Sequence, residues 1–335
     1  MKIVIFEVED WEREAFEGFE SNHDVVYVAE SLGKDNAPDH SDADIISTFI
    51  YSDLGCEVLR QFEHLKVIAT RSTGFDHIDL EECSKSDVVV TNVPSYGENT
   101  VAEHVFALLL AISHHLIPAV DRTRRGDFSQ EGLQGFDLRG KTFGVIGTGD
   151  IGRATIEIAG GFRMKVLAFD VEPDEQAART LNFEYVDMDK LLANSDVITL
   201  HVPANEHTRG LLSHDEFAKM KEGVVIINTA RGSIIDMEAL LRGLADGKVR
   251  AAGLDVLAAE PVVREEAELL RRAFSRQHNL EELLADHILM RLRNVIITPH
   301  SGFNTREAVQ RIIDTTAGNI AAYLDGNPVN VVNEG

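Results

Sequence analysis

The feature that most constrains this 335-residue chain is a rhythm, in which short β-branched runs alternate with longer amphipathic segments almost from end to end. In the first half the runs are Lys2–Phe6, Val25–Val28, Ile45–Ile50, Val67–Thr70 and Val88–Thr91. In the second they are Thr142–Ile146, Lys165–Phe169, Val197–Leu200, Val224–Ile227, Ala251–Leu254 and Val295–Thr298. Short runs rich in Val and Ile form strands buried on both faces, and strands alternating with helices build parallel sheets. The expectation is an α/β chain, long enough for roughly two domains.

Between the two series the rhythm breaks. Thr100-Val101-Ala102-Glu103 has the form of a capping box opening a helix that is apolar nearly all round as far as Ile112, and such a helix needs a domain junction or a subunit interface to cover it. Asp121 to Gly140, charged and glycine-bearing, has the composition of a linker. Glu265 to Met290 is expected as one or two surface helices, and Asn304 to Leu324 as a final helix closed by Gly326.

A formal charge of −24 repels phosphate backbones and anionic lipid, so neither nucleic acid nor membrane is an expected partner. The first apolar run is stopped at Glu7, short of a signal peptide, and Val105 to Ile112 is too short to cross a bilayer, so the expected location is cytoplasmic. The two cysteines, Cys56 and Cys83, suit a reducing compartment and are expected in the core. His114-His115 and Asp76-His77-Ile78-Asp79 lack a third ligand at a metal spacing, so no metal is expected. His278 and His287 are expected in solvent.

The chemistry concentrates in the second half. Phe143-Gly144-Val145-Ile146 leads as a strand into Gly147-Thr148-Gly149-Asp150-Ile151-Gly152, and a helix follows from Arg153. In that context the first glycine permits the turn, the second lets backbone approach a pyrophosphate, and the third lets helix pack on strand. Asp170 ends the next strand, about 20 residues on, where an acid accepts hydrogen bonds from ribose hydroxyls. It would repel a 2′-phosphate, and Val171-Glu172-Pro173 offers no arginine to offset that, so NAD is expected over NADP.

Open α/β sheets bind ligands beyond the carboxyl ends of their strands. Arg231 follows one such end, in Asn228-Thr229-Ala230-Arg231-Gly232; Glu260-Pro261 comes shortly after Gly253-Leu254-Asp255-Val256; His300 follows Thr298-Pro299. A guanidinium matches a carboxylate bidentately, an imidazole titrates near neutral pH, and a carboxylate beside it stabilises the imidazolium. Together they make a set suited to hydride transfer on a small acid.

With these residues in place, the sequence resembles the D-isomer-specific 2-hydroxyacid dehydrogenases over essentially its whole length, and within them the D-lactate dehydrogenase branch. The marks are the glycine loop, His201-Val202-Pro203, Asn228 to Gly232, Gly253 to Val256, Glu260-Pro261 and Thr298-Pro299-His300. In the first half they are Arg71-Ser72-Thr73-Gly74-Phe75-Asp76, a substrate loop in the family, with Asn92-Val93-Pro94 and Ala102-Glu103.

The resemblance implies two doubly wound parallel-sheet domains. One is a flavodoxin-like substrate (catalytic) domain, discontinuous over 1–100 plus 301–335, and the other a Rossmann NAD-binding domain over 101–300. It implies that Arg231 grips the substrate carboxylate, His300 exchanges the proton at the C2 oxygen, and Glu260 holds His300. It places His201, Val202, Pro203, Thr229, Ala230 and Asp255 with the glycine loop on the cofactor side, and Thr73 and Gly74 at the substrate carboxylate. A homodimer through the helix starting near Thr100 is implied as well.

Tyr51, Phe75, Tyr96 and Phe303 are candidates for an apolar substrate wall or for core. The chain departs from the D-lactate branch where Asn304, not a second aromatic, follows Phe303, and where Gly97, not proline, follows Tyr96. A pyruvate-like 2-keto acid is the expected substrate. Glyoxylate/hydroxypyruvate and phosphoglycerate enzymes and an NAD-sensing corepressor are the alternatives.

Overall fold

The computed structural model describes residues 1–257 and 287–333. Glu260, Pro261, His278 and most of the stretch expected as surface helices lie outside the described residues. The chain divides into two compact units, Met1–Gly97 with Thr305–Gly335, and Glu98–Asn304.

In the first unit the strands β1 (Lys2–Ile5), β2 (Asp24–Tyr27), β3 (Ile45–Thr48), β4 (Val67–Thr70) and β5 (Val89–Thr91) form a parallel sheet in the order β2-β1-β3-β4-β5. That is the flavodoxin-like order of doubly wound sheets. Alternate residues serve opposite faces. Val4, Ile46, Ile68 and Val90 pack on one side, Ile3, Ile5, Ile45, Val67 and Ala69 on the other. The helix Arg306–Leu324 covers the second face with Ile313 and Ile320, and Thr305 caps it by accepting from the Ala308 amide. Beyond that helix the chain returns to β5, where the Val332 amide donates to the Val90 carbonyl at 2.9 Å.

The second unit holds β6 (Thr142–Ile146), β7 (Lys165–Phe169), β8 (Glu184–Tyr185), β9 (Val197–Leu200), β10 (Val224–Asn228), β11 (Val249–Leu254) and β12 (Val295–Ile297). Their order is β12-β11-β10-β9-β6-β7-β8, every pair parallel, which is the Rossmann arrangement extended by one strand. The helix Glu98–Ser113 lays Val105, Leu108, Leu109 and Ile112 on one face, with Phe143, Val145, Val225 and Ile227. Ile146, Ile198, Leu200 and Ile226 form the other.

Several expectations are corrected. The helix opens at Glu98, so Thr100 is no N-cap but a buried residue within it, and Glu103 and Ala107 are exposed, so the helix is not covered on every side. The region Asp121 to Gly140, expected as a linker, begins inside a helix, Leu116–Arg124, and lies wholly within the second unit. The two-residue β8 has no signal in the sequence because Glu184-Tyr185 is too short for a period to show. Cys83 is buried as expected, but Cys56 is only half-buried, at the first position of a short helix. His287 is likewise half-buried. Among the described residues no single helix is long and apolar enough to cross a membrane.

Candidate active site

Strand order in the second unit reverses at β6, whose neighbours β9 and β7 lead away in opposite directions, and a crevice opens beyond the carboxyl ends at such a point. The glycine loop sits there. Gly147 has φ +94°, and a Cβ on it would stand 2.5 Å from the His201 carbonyl oxygen; at Gly152 a Cβ would stand 2.2 Å from the Gly147 oxygen. Only bare backbone fits this turn. Gly149 then caps the helix Asp150–Gly161 in extended conformation, with Asp150 exposed and Ile151 half-buried in its first turn. The amides and dipole of that helix start favour an anion.

Asp170, just past β7, faces this loop. Its Oδ2 accepts from the Thr148 amide at 2.6 Å and hydroxyl at 2.8 Å, and its Oδ1 from the Glu172 amide at 3.0 Å. Burial alone would raise its pKa, but these hydrogen bonds win and hold it below the usual carboxylate value. Tyr185, on the unforeseen β8, lies 2.7 Å from the Thr148 hydroxyl and accepts from the Asp174 amide, which fixes the loop from the far side.

His201 follows β9, its amide donating to the Ile146 carbonyl at 2.8 Å. Burial pushes its imidazole down to about 3, so it is neutral at physiological pH and no partner for phosphate charge. Val202 is half-buried against the core and Pro203 is exposed, its carbonyl accepting from Thr208. The Thr229 hydroxyl is buried without a protein partner among the described residues. A backbone-only turn, a helix start, an ionised acid at the next strand end and an orphaned hydroxyl fit a dinucleotide.

The three adjoining strands β10, β11 and β12 carry the other candidates. Asn228, fully buried, donates to the Arg231 carbonyl at 2.9 Å and accepts from the Ala230 amide at 3.0 Å, shaping the loop from which Arg231 projects. The Arg231 guanidinium donates to the Ala230 carbonyl at 2.8 Å. The Asp255 amide bonds the Asn228 carbonyl, and the Thr298 amide bonds the Leu254 carbonyl, so these three strand ends are tied side by side. His300 has φ +51°, a left-handed conformation costly for a residue with a Cβ. Its amide donates to the carbonyls of Asp255 and Thr298, each at 2.9 Å, and its ring meets Phe303 edge-on at 6.4 Å. Glu260 lies outside the described residues.

In the first unit, Thr73 and Gly74 occupy a braced loop after β4. The Thr73 hydroxyl donates to the Val93 carbonyl, Asn92 donates to the Thr73 carbonyl, and Ser72 donates to the Gly74 carbonyl. Tyr51 is exposed, its amide held by the Glu7 carboxylate at 2.9 Å and its ring edge-on to Phe49. Phe75 is half-buried against the core, and half-buried Tyr96 has its carbonyl bound by Arg311. Arg71, which opens the resembling loop, is not in that surface: it is 2% exposed and donates to the carbonyls of Phe6 and Glu7 and to Ser47.

Sequence reasoning assigned no role to Asn228, Thr298 or Tyr185. A fully buried Asn at a strand end has a signal of its own, since its amide must find partners there. Thr298 and Tyr185 acquire their partners only through the fold.

Comparison with known proteins follows the same lines. Residues 106–302 match the family described as D-isomer specific 2-hydroxyacid dehydrogenase, NAD binding domain. The chain is 36% identical over 333 residues to a 2-hydroxyacid dehydrogenase homolog of Haemophilus influenzae, covering 97% of each. It is 33% identical over 337 residues to the D-lactate dehydrogenase of Escherichia coli, covering 97% of this chain and 98% of that one. Among solved structures, the D-lactate dehydrogenase from Aquifex aeolicus complexed with NAD and lactic acid is similar with a TM-score of 0.84 at 33% identity, covering 98% of this chain and 99% of that one.

Proposed function

This chain belongs to the D-isomer-specific 2-hydroxyacid dehydrogenases and is an NAD-dependent oxidoreductase, and from that premise we propose that it reduces a small, pyruvate-like 2-keto acid to the D-2-hydroxy acid. Bound NADH supplies the hydride. The glycine loop and Asp170 hold the dinucleotide, with His201, Val202, Pro203, Thr229 and Ala230 beside it. Arg231 binds the substrate carboxylate bidentately, and Thr73 and Gly74 are the substrate-binding residues of the first unit, the substrate domain. Tyr51, Tyr96 and Phe303 wall the substrate side chain.

His300, as imidazolium, gives its proton to the C2 oxygen, so the oxygen never carries a full charge. Glu260 holds that imidazolium. Reduction therefore needs the His300 ring to carry the proton that it gives up. One observation carries the reading: Arg231 and His300 leave the ends of strands tied side by side, with Asp255 binding the turn that bears His300.

The homodimer belongs to the same proposal. It is placed through the helix starting near Thr100, Glu98–Ser113; the helix that follows it, Leu116–Arg124, exposes Leu116, Ile117 and Val120, an apolar stripe that a second copy would cover, and sedimentation equilibrium tests the dimer.

The test of function is NADH consumption with pyruvate, glyoxylate, hydroxypyruvate and bulkier 2-keto acids, with His300→Ala alongside. The expected result is the highest kcat/KM for pyruvate and nearly complete loss in the variant. A higher value for glyoxylate or hydroxypyruvate would reassign the substrate, and an active His300→Ala would remove the acid–base role.

A further inference from the structure

The long helix Glu98–Ser113 contributes one polar side chain toward the strand ends that the reaction as described does not use. His104, its side chain 19% exposed, has Nε2 3.0 Å from Thr298 Oγ1 and 3.3 Å from Asp255 Oδ1. We infer that His104 is a positioning residue for proton transfer: through Asp255 and Thr298 it secures the turn that presents His300. The inference rests on the acid–base reading of His300.

Asp255 is the hub. It is 2% exposed, and its Oδ1 accepts from the Thr298 hydroxyl at 2.5 Å and the Ser301 amide at 2.9 Å, its Oδ2 from the Gly302 amide at 2.8 Å. Burial alone would favour the neutral acid, but the hydrogen bonds from His104, Thr298, Ser301 and Gly302 keep its pKa below the usual value, so the group is a carboxylate. A carboxylate only accepts. The single Thr298 hydroxyl proton goes to Asp255, which leaves Thr298 Oγ1 an acceptor toward His104. The hydrogen of the His104 ring is thereby assigned to Nε2, where it reaches both oxygens.

Among the described residues, the other donors to this carboxylate belong to 298–302 themselves. His104 is different because it comes from a separate element anchored in the core by Val105, Leu108 and Leu109. It ties the turn to something rigid. The turn needs that tie, since His300 sits at φ +51° and a left-handed residue persists only where its surroundings over-determine it. Packing leaves no slack: a Cβ on Gly302 would stand 2.8 Å from Asp255 Oδ2 and 3.2 Å from the His104 ring.

The experiment compares wild type, His104→Leu, His104→Gln, His104→Asn and His300→Ala as full-length proteins, reading kcat and KM for pyruvate, or for the keto acid of the panel turned over fastest, and the NADH Kd. Loss of one donor to a buried charge is expected to lower kcat in His104→Leu about tenfold, with NADH Kd within about twofold of wild type. Gln places an N–H near the Nε2 position and should restore most of kcat; Asn, one methylene shorter, should not. If His104→Leu does not fold, the Gln and Asn pair alone carries the comparison. Wild-type kcat in Leu or Asn, or equal losses in Gln and Asn, would overturn the inference. The premise fails separately: an active His300→Ala defeats the acid–base reading, whereas an inactive His300→Ala beside an unimpaired His104→Leu defeats only the role of His104.

Discussion

Arg71 and Arg231 occupy equivalent stations in their two sheets, each just past the carboxyl end of a parallel strand and each within a stretch resembling a substrate motif, yet they do opposite things. Arg71 is 2% exposed, and burial lowers its pKa. It donates to neutral oxygens, two carbonyls from the end of β1 and the Ser47 hydroxyl on β3, so it cross-braces the strands on one side of its own. Arg231 is half-buried on a loop that Asn228 shapes, and its guanidinium donates to the carbonyl of its own neighbour, Ala230. A guanidinium buried among strand-end oxygens is architecture, whereas one on a loop shaped by a buried amide is the candidate proposed for the substrate acid. The station at a strand end selects candidates; the direction of the side chain decides between them.

The largest effect that sharpens this contrast is expected for Arg71→Met. It leaves three buried oxygens without their donor and should cost about 3 kcal/mol of stability, read as a lowered urea midpoint, while the folded fraction keeps its keto-acid KM. A stable variant with a raised KM would invert the comparison. Arg231→Lys keeps the charge but loses the fork, and kcat/KM for the keto acid should fall about thirtyfold, roughly 2 kcal/mol, at an unchanged urea midpoint and NADH Kd. Unaltered keto-acid kinetics would put Arg231 with Arg71 among the braces.

Asp170 accepts from Thr148 within the loop and is the acid proposed to bind the ribose. Asp170→Asn removes the charge that repels a 2′-phosphate, so the ratio of kcat/KM for NADH over NADPH should shrink about tenfold, about 1.4 kcal/mol. A ratio that does not move would leave Asp170 a loop brace alone.

The smallest effect is expected for His201. Its folded pKa is about 3 against 6.5 in an open chain, so as pH falls below 6.5 the unfolded state takes up a proton that the folded state refuses. Stability is lost across that window, and His201→Gln should make the loss between pH 7 and pH 5 smaller by about 1 kcal/mol, allowing for the partial exposure of the ring. An identical acid branch in the variant would show that the imidazole is protonated in place.

What was legible in the sequence was whatever local chemistry determines. β-branched runs located eleven strands because two-sided burial demands continuous apolar side chains, and the glycine loop was legible because Gly147 and Gly152 sit where no side chain fits. The errors arose where the determinant is tertiary. Thr100 satisfied the capping pattern, but the helix had already begun two residues earlier, at Glu98. Nothing local distinguishes Arg71 from Arg231, since the oxygens that claim Arg71 come from residues 6, 7 and 47. His104 and Thr298 are 194 residues apart, and no pattern within one window could pair them.

The return of the chain to β5 has a consequence for the order in which the protein is made. The first unit uses residues from both ends of the sequence, and the helix Arg306–Leu324 that covers its second face, like the segment that pairs with β5, leaves the ribosome after every strand of both sheets. At about 5–20 residues per second, the interval between β5 and that helix is on the order of ten seconds or more. The nascent sheet therefore passes that time with Ile3, Ile5, Ile45 and Val67 uncovered on one face, while the second unit, encoded later but continuous, is complete before that helix emerges. Birth order and folding order run in opposite directions, and the half made first is the one most in need of a chaperone.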